Sequence, residues 1–369
     1  MVTPNNINAS IATLNAYQPG KPIDELAREL GIADILKLAS NENPRGPGEQ
    51  VRAALTAVHK DLSLYPDGSG YRLKAVLAER HGVSPAQITL GNGSNDVLDL
   101  AARVALEPGC EAIVSEHAFV VYRLATIAAG ATLVTVPAVN FGMDLGGVLR
   151  AVTERTRIVF IANPNNPTGT WLSREAITGF LDTLPSRVWV VLDEAYTEYV
   201  GRPDFPNGLT LLDRYPNLIV TRTFSKIHGL AALRLGFAVS NPQFADLMNR
   251  LRQPFNVNSM ALAAGEAALA DDAFVRESRE LNDAGMRQLE EGFDRLNLPR
   301  IPSLGNFIAV DVGEDARAVY DALLREGVIV RPIAEYGLPR HLRVTIGLPD
   351  QNRRLLDSLA RVLEARRRA

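Results

Sequence analysis

From Pro85 onward, short unbroken apolar runs alternate with stretches of helical spacing. Segments 88–90, 112–114, 132–136, 158–162, 188–192, 218–221 and 235–239 read as strands, with helices between several of them, such as 96–106 and 174–184. Runs that are apolar throughout, rather than alternating, need cover on both faces. They predict a largely parallel sheet between helices, an α/β architecture. Ligands of such a sheet sit at the carboxyl ends of its strands.

After about Asn258 the texture changes to one long helical stretch, Ala-rich and then charged, over 261–296, broken near Asn297-Leu298-Pro299. Segments 307–312, 316–326, 328–331, 342–346 and 351–366 then predict strand, helix, strand, strand, helix, the outline of a small α+β unit. The first 48 residues are rich in Asn, Pro and Gly and read as an arm, with one short helix at Ile23–Leu30 between Pro22 and Gly31.

A length of 369 residues agrees with one large domain and a smaller one. Apolar residues at 46% and charged ones at 22% are ordinary for a folded chain. A sum of 39 Lys+Arg against 42 Asp+Glu, net −3, offers no general attraction for nucleic acid or anionic lipid. The longest apolar runs are strand-sized, and Met1 to Ser10 lacks the basic and apolar stretches of a leader, so neither membrane nor export is expected. Cys110, the single cysteine, follows Pro108-Gly109, has no neighbouring histidine and reads as structural; a chain without a disulfide belongs in the cytoplasm. Five histidines, far apart and forming no His-x-x-x-His pair, predict no metal site.

Of the 39 cations only five are lysines: Lys21, Lys37, Lys60, Lys74 and Lys226. Wherever charge alone is wanted, arginine is used. Lys226 is the single lysine after Lys74, which makes it the first place to ask whether a neutralisable amine is required.

The polar signals fall where strands end. Gly91-Asn92-Gly93-Ser94-Asn95-Asp96 closes one strand and opens a helix, a place that favours a phosphate. Asp96 stands where a dinucleotide fingerprint has its third glycine, and a tight turn with a cap reads the same residues equally well. Asn163 to Gly169, with three Asn and two Pro, makes a rigid turn presenting amides, or a plain loop. Asp193-Glu194-Ala195-Tyr196 follows a very apolar strand, and an acid there needs a cationic or donor partner, a salt bridge being the simplest. Thr221-Arg222-Thr223-Phe224-Ser225-Lys226, with Arg234 eight positions on, brings hydroxyls, an amine and a guanidinium to one strand end. Hydroxyls and guanidinium suit a phosphate. An amine held beside a cation and partly buried loses its proton and attacks a carbonyl to form a Schiff base. Amine, phosphate cradle and buried acid are together what a protein contributes to a pyridoxal 5′-phosphate site. There is no Gly-x-Ser-x-Gly elbow or Walker loop to support a hydrolase or an NTPase.

These segments, with Gly229 to Gly236, resemble in order and spacing the fold-type I pyridoxal phosphate aminotransferases. Tyr17-Gln18-Pro19-Gly20, Asn41-Glu42-Asn43-Pro44, Tyr65-Pro66, Tyr336-Gly337-Leu338-Pro339 and Leu342 to Gly347 are similar to those of the histidinol-phosphate aminotransferases, and the match runs from about Tyr17 to the C-terminus. The resemblance implies an arm over 1–33, packed on the small domain or a partner subunit, a large cofactor domain over 34–260 and a small domain over 261–369. It implies that Lys226 holds the cofactor and moves a proton, that Asp193 pairs with the ring nitrogen, and that Tyr196 and Asn166 meet the ring oxygen. Phe119 takes the place of the ring-stacking aromatic, often Tyr in relatives. Gly93, Ser94, Asn95, Thr223, Ser225 and Arg234 hold the phosphate, with Tyr65 reaching it from the other subunit of a homodimer. Tyr17, Asn43, Arg331 and Arg343 are the implied substrate residues, with Arg343 taking either the carboxylate of glutamate or the phosphate of histidinol phosphate. The implied reaction is transamination between histidinol phosphate and 2-oxoglutarate in histidine biosynthesis. An aromatic amino-acid aminotransferase, or a decarboxylase of a phosphorylated amino acid such as threonine phosphate, is the alternative on the same scaffold.

Overall fold

The computed structural model describes residues 9–14, 16, 20–313 and 316–368. A seven-stranded sheet forms its centre, in the spatial order Ile88–Asn92, Leu235–Val239, Leu218–Thr223, Trp189–Asp193, Thr156–Ala162, Glu111–Ser115, Thr132–Val136. Leu235–Val239 runs antiparallel to both its neighbours, and the other strands are parallel to one another. The inner strands are buried along nearly their whole length, as their unbroken apolar sequences require. Their side chains feed two cores, one on each face of the sheet. Leu90, Val190, Leu192 and Val220 belong to the first core, and Ala112, Phe160, Val191 and Ile219 to the second.

A separate core lies around the four-stranded sheet of Arg331–Pro332, His341–Thr345, Phe307–Asp311 and Arg300–Ile301, packed with the helices Asp272–Arg295, Ala316–Arg325 and Pro349–Arg368. Three expectations change here. The helical stretch 261–296 is two helices, Ser259–Leu269 and Asp272–Arg295, because Asp271 caps the second by accepting from the Phe274 N–H at 3.0 Å. The first of them packs its small face into the large core, with a bare Gly265 against Leu73 and Leu235, so the smaller unit starts at the second helix rather than at 261. The strand expected over 328–331 is split between two sheets. Val328–Ile329 pairs with Leu36–Lys37, while Arg331–Pro332 pairs with His341–Thr345. Leu36 and Leu38 therefore sit in the smaller unit's core before the chain crosses to the larger one.

The helix Ile23–Leu30 forms as expected and closes on Gly31 in the left-handed region, with Leu26 buried against Ala39 and Ile329. Among the described residues no helix is long and apolar enough to cross a membrane.

One close approach fixes the geometry where ligands bind. A Cβ on Gly236 would lie 2.3 Å from the Ser94 backbone nitrogen, so the first turn of the helix Ser94–Ala105 rests directly on a bare strand backbone. Gly236→Ala is expected to lower stability by about 1–3 kcal/mol, the size of overpacking with backbone displacement, as measured by urea denaturation. A midpoint equal to that of the unchanged protein would contradict the close packing.

Candidate active site

The strand ends Ser115, Ala162, Asp193 and Thr223, with the Gly93–Ser94 turn, all open onto one edge of the sheet, where a cavity of about 200 Å³ lies between the two cores. Asp193 forms its floor. The carboxylate is buried and accepts hydrogen bonds from the hydroxyls of Tyr122 at 2.7 Å and Thr221 at 2.9 Å. Both donors are neutral. Burial pushes the Asp193 carboxyl above the usual carboxylate range against the pull of those hydroxyls, with Glu194 adding to the rise. A cationic N–H set on this floor would relieve it.

Behind the floor, Glu194 and Arg222 form a buried pair. Arg222 donates through Nε and Nη2 at 3.0 and 2.7 Å, and Glu194 also accepts from the Gly208 N–H at 2.6 Å. That pairing ties the ends of Trp189–Asp193 and Leu218–Thr223 together. It answers the salt-bridge reading of the acidic segment: Glu194 takes the cation, and Asp193 keeps its oxygens for the cavity.

Lys226 enters past the end of Leu218–Thr223, its Nζ donating to the Ser40 carbonyl at 3.1 Å and lying 5.7 Å from the Tyr196 ring centre. Burial lowers the amine to about 7, helped by Arg343 and Arg234, while Glu42 and Asp193 pull the other way. Burial and the neighbouring guanidinium groups thus hold this amine below an ordinary lysine.

A cluster of hydrogen-bond donors lies at the same edge. The first N–H groups of the helix Ser94–Ala105 have no intrahelical partner and carry the positive end of its dipole. Arg234 lies directly over Gly93, whose Cβ would meet its Nη2 at 2.4 Å, and donates to the Ser225 hydroxyl at 3.3 Å. Ser94, Asn95, Thr223 and Ser225 line the same space. In Gly91 to Asp96 the tight turn is present, with Asp96 accepting from the Asn92 N–H at 2.8 Å, and Ser94 and Asn95 face the cavity.

Phe119, Asn166 and Tyr196 complete the larger unit's wall, and Arg331 and Arg343 enter from the smaller one. Arg343 donates to Asn166 Oδ1 at 2.6 Å and to the Ala39 carbonyl at 2.8 Å. Asn43 stays out of the cavity. Its amide donates to the Ile227 carbonyl at 2.7 Å and the Ser278 hydroxyl at 3.0 Å, fastening the Lys226 loop to the long helix. The member of that segment which reaches the cavity is Asn41, whose Nδ2 donates to the Tyr196 hydroxyl at 2.9 Å. Tyr65 is far from this wall, 82% exposed and stacked on Phe255 at 4.7 Å. Tyr17 lies outside the described residues.

The sequence reading missed Tyr122, Thr221, Asn41 and Tyr336. Tyr122 had a usable signal: a tyrosine on the buried side of an apolar helix needs a partner for its hydroxyl. Thr221 reaches Asp193 as its partner in strand register, and Asn41 and Tyr336 meet the cavity only through folding of distant segments.

Residues 33–359 match the family model described as aminotransferase class I and II. The chain is 59% identical to a histidinol-phosphate aminotransferase 2 of Pseudomonas fluorescens over 96% of each chain, and 52% identical to a histidinol-phosphate aminotransferase 1 of Mannheimia succiniciproducens over 96% of this chain and 97% of that one. A solved histidinol-phosphate aminotransferase of Sinorhizobium meliloti, in complex with pyridoxal-5′-phosphate, superposes with a TM-score of 0.91 at 31% identity, covering 98% of both chains.

The cofactor-free protein is expected to show one lysine modified by acetic anhydride with an apparent pKa of about 7, Lys226, followed by peptide mass spectrometry across pH. Arg343→Gln removes a nearby cation and is expected to move that midpoint upward. A midpoint near that of free lysine in the unchanged protein would contradict the assignment.

Proposed function

The chain belongs to the class I and II aminotransferases, and from that premise we propose that it exchanges an amino group between histidinol phosphate and 2-oxoglutarate, giving imidazole acetol phosphate and glutamate in histidine biosynthesis. The observation that carries the reading is the convergence on one cavity of the Lys226 amine, the buried Asp193 carboxylate and the Ser94–Arg234 donors. Pyridoxal 5′-phosphate, when bound, supplies the electron sink that makes the substrate Cα–H bond breakable. The donor set fits it: a raised carboxyl with only neutral donors suits a protonated ring nitrogen, and a helix start with Arg234 and two hydroxyls suits a phosphate.

Each residue then has one task. Lys226 would hold the cofactor covalently, and its amine, kept low by burial, would take the proton from the substrate's Cα and later return it. Asp193 would keep the ring nitrogen protonated, with Tyr122 and Thr221 fixing its carboxylate. Phe119 would lie on the ring, and Asn166 and Tyr196 would meet the ring oxygen. Arg343, a planar fork beside Asn166, would take the carboxylate of glutamate or, with Arg331 and Tyr17, the phosphate of histidinol phosphate. The two substrates would bind in turn, one leaving its nitrogen and the other collecting it.

We further propose a cytoplasmic homodimer in which Tyr65 reaches the phosphate site of the second copy. Leu62, Leu64, Tyr65, Tyr71 and Phe255 are all exposed, an apolar set that a lone subunit would leave in water.

Purified protein loaded with cofactor is expected to form glutamate from histidinol phosphate and 2-oxoglutarate, with Lys226→Ala losing at least about 10²–10⁴-fold in kcat. Faster glutamate formation from phenylalanine, or carbon dioxide release without a keto acid, would assign the alternatives instead. Sedimentation equilibrium is expected to give twice the 40.1 kDa chain mass, and Leu64→Glu to shift the protein toward the monomer. A monomeric mass for the unchanged protein would contradict the dimer.

A further inference from the structure

The loop 65–70, which carries the exposed Tyr65, is closed by its own hydrogen bonds. Asp67 accepts from the Ser69 and Tyr71 N–H groups, both at 2.8 Å, and from the Ser69 hydroxyl at 2.7 Å, fastening the loop to the start of the helix Tyr71–His81. Phe255 lies against it, stacked on Tyr65 and packed on the bare Gly68, whose Cβ would meet the ring at 3.2 Å. To reach that place Phe255 takes a left-handed backbone with φ of 56°, which a bulky side chain adopts only where its surroundings compel it.

A line of hydrogen bonds leads from this loop to a cavity-forming turn of the same copy. Arg252 donates through Nη2 to the Gly68 carbonyl at 2.7 Å and through Nη1 to Asn256 Oδ1 at 3.2 Å. Asn256 in turn donates through Nδ2 to Asp96 Oδ2 at 2.8 Å and to the Leu90 carbonyl at 3.1 Å. The same Asp96 oxygen accepts from the Asn92 N–H and so shapes the turn 91–96, which brings Ser94 and Asn95 to the cavity. Neither Arg252 nor Asn256 lines the cavity itself.

We propose that Arg252 and Asn256 are positioning residues that couple the two cofactor sites of the dimer, so that filling one site prepares the other. The inference rests on the reading in which Tyr65 reaches the phosphate site of the second copy. On that reading each site is made of the turn 91–96 from one copy and the Tyr65 loop from the other. A cofactor phosphate seated in the first site fixes a turn in one copy and a loop in its partner. Each of these is tied, through Arg252 and Asn256 of its own copy, to one half of the second site. Both halves of that site are then already ordered when its ligand arrives, and the second binding event loses less conformational freedom than the first. The two side chains act through Gly68 and Asp96, without touching the ligand.

The test is a titration of the cofactor-free protein with pyridoxal 5′-phosphate, followed by the absorbance of the bound cofactor at concentrations where sedimentation shows only dimer. The second site is expected to bind about fivefold or more tightly than the first. Arg252→Gln and Asn256→Ala cut the line at different points, and each is expected to bring the two sites to equal intrinsic affinity while the dimer persists. Arg252→Lys, which keeps the charge and loses the planar fork, is expected to behave as Arg252→Gln does. Arg250→Gln, the same charge change at a residue paired with Asp246, is the control and is expected to keep the coupling. Independent filling of the unchanged dimer, or coupling retained in either dimeric variant, would overturn the proposal. Tyr65→Phe tells that failure from a failure of the reading beneath it. Weaker cofactor binding in this variant, with independent sites in the unchanged dimer, rejects the link alone. An affinity that Tyr65→Phe leaves as it was, or a monomeric unchanged protein, rejects the Tyr65 contact and the link with it.

Discussion

Charge held away from water without an equal and opposite partner is the constraint around which this molecule is arranged. Asp193 is buried with two hydroxyls where a carboxylate would ordinarily have a cation, and Lys226 is crowded by arginines where an amine would ordinarily have a carboxylate. Each arrangement costs stability. The sheet can bear it because its strands are cemented on both faces by apolar cores, and because Arg222 pairs with the neighbouring Glu194.

Much of this was readable from residue order because the larger unit is built of local signals. Unbroken apolar strands name the parallel sheet, the sheet names its carboxyl edge, and the polar segments after each strand fall on that edge by topology alone. The helix Ile23–Leu30 was equally legible, flanked by Pro22 and Gly31. Legibility ended where one residue type serves two tasks. Asp271 reads as one more charge on a polar helix face, and only its cap hydrogen bond reveals the break. Asn41 and Asn43 are chemically identical and two positions apart. Their opposite fates are set by the left-handed backbone at Asn41, with φ of 56°, and by what the long helix offers to Asn43. Spacing cannot carry that information.

Division of labour between the two units follows from the same logic. The larger unit brings Lys226, Asp193, Ser94 and Arg234 to the cavity, and the smaller one brings Arg331, Arg343 and Tyr336. His117 bridges them, its ring Nδ1 2.7 Å from the Tyr336 carbonyl and its own carbonyl accepting from Asn165 at 3.0 Å. The two units thus line one cavity from opposite sides.

Asn41 sits where the connecting chain crosses between the two units. Its N–H donates to the Thr345 hydroxyl of the smaller sheet at 2.9 Å, its carbonyl accepts from Asn306 at 3.0 Å, and its amide reaches Tyr196 of the larger unit. One crossing between the units, the other lying between Leu269 and Asp272, is thus fastened to both of them and to the cavity wall at once.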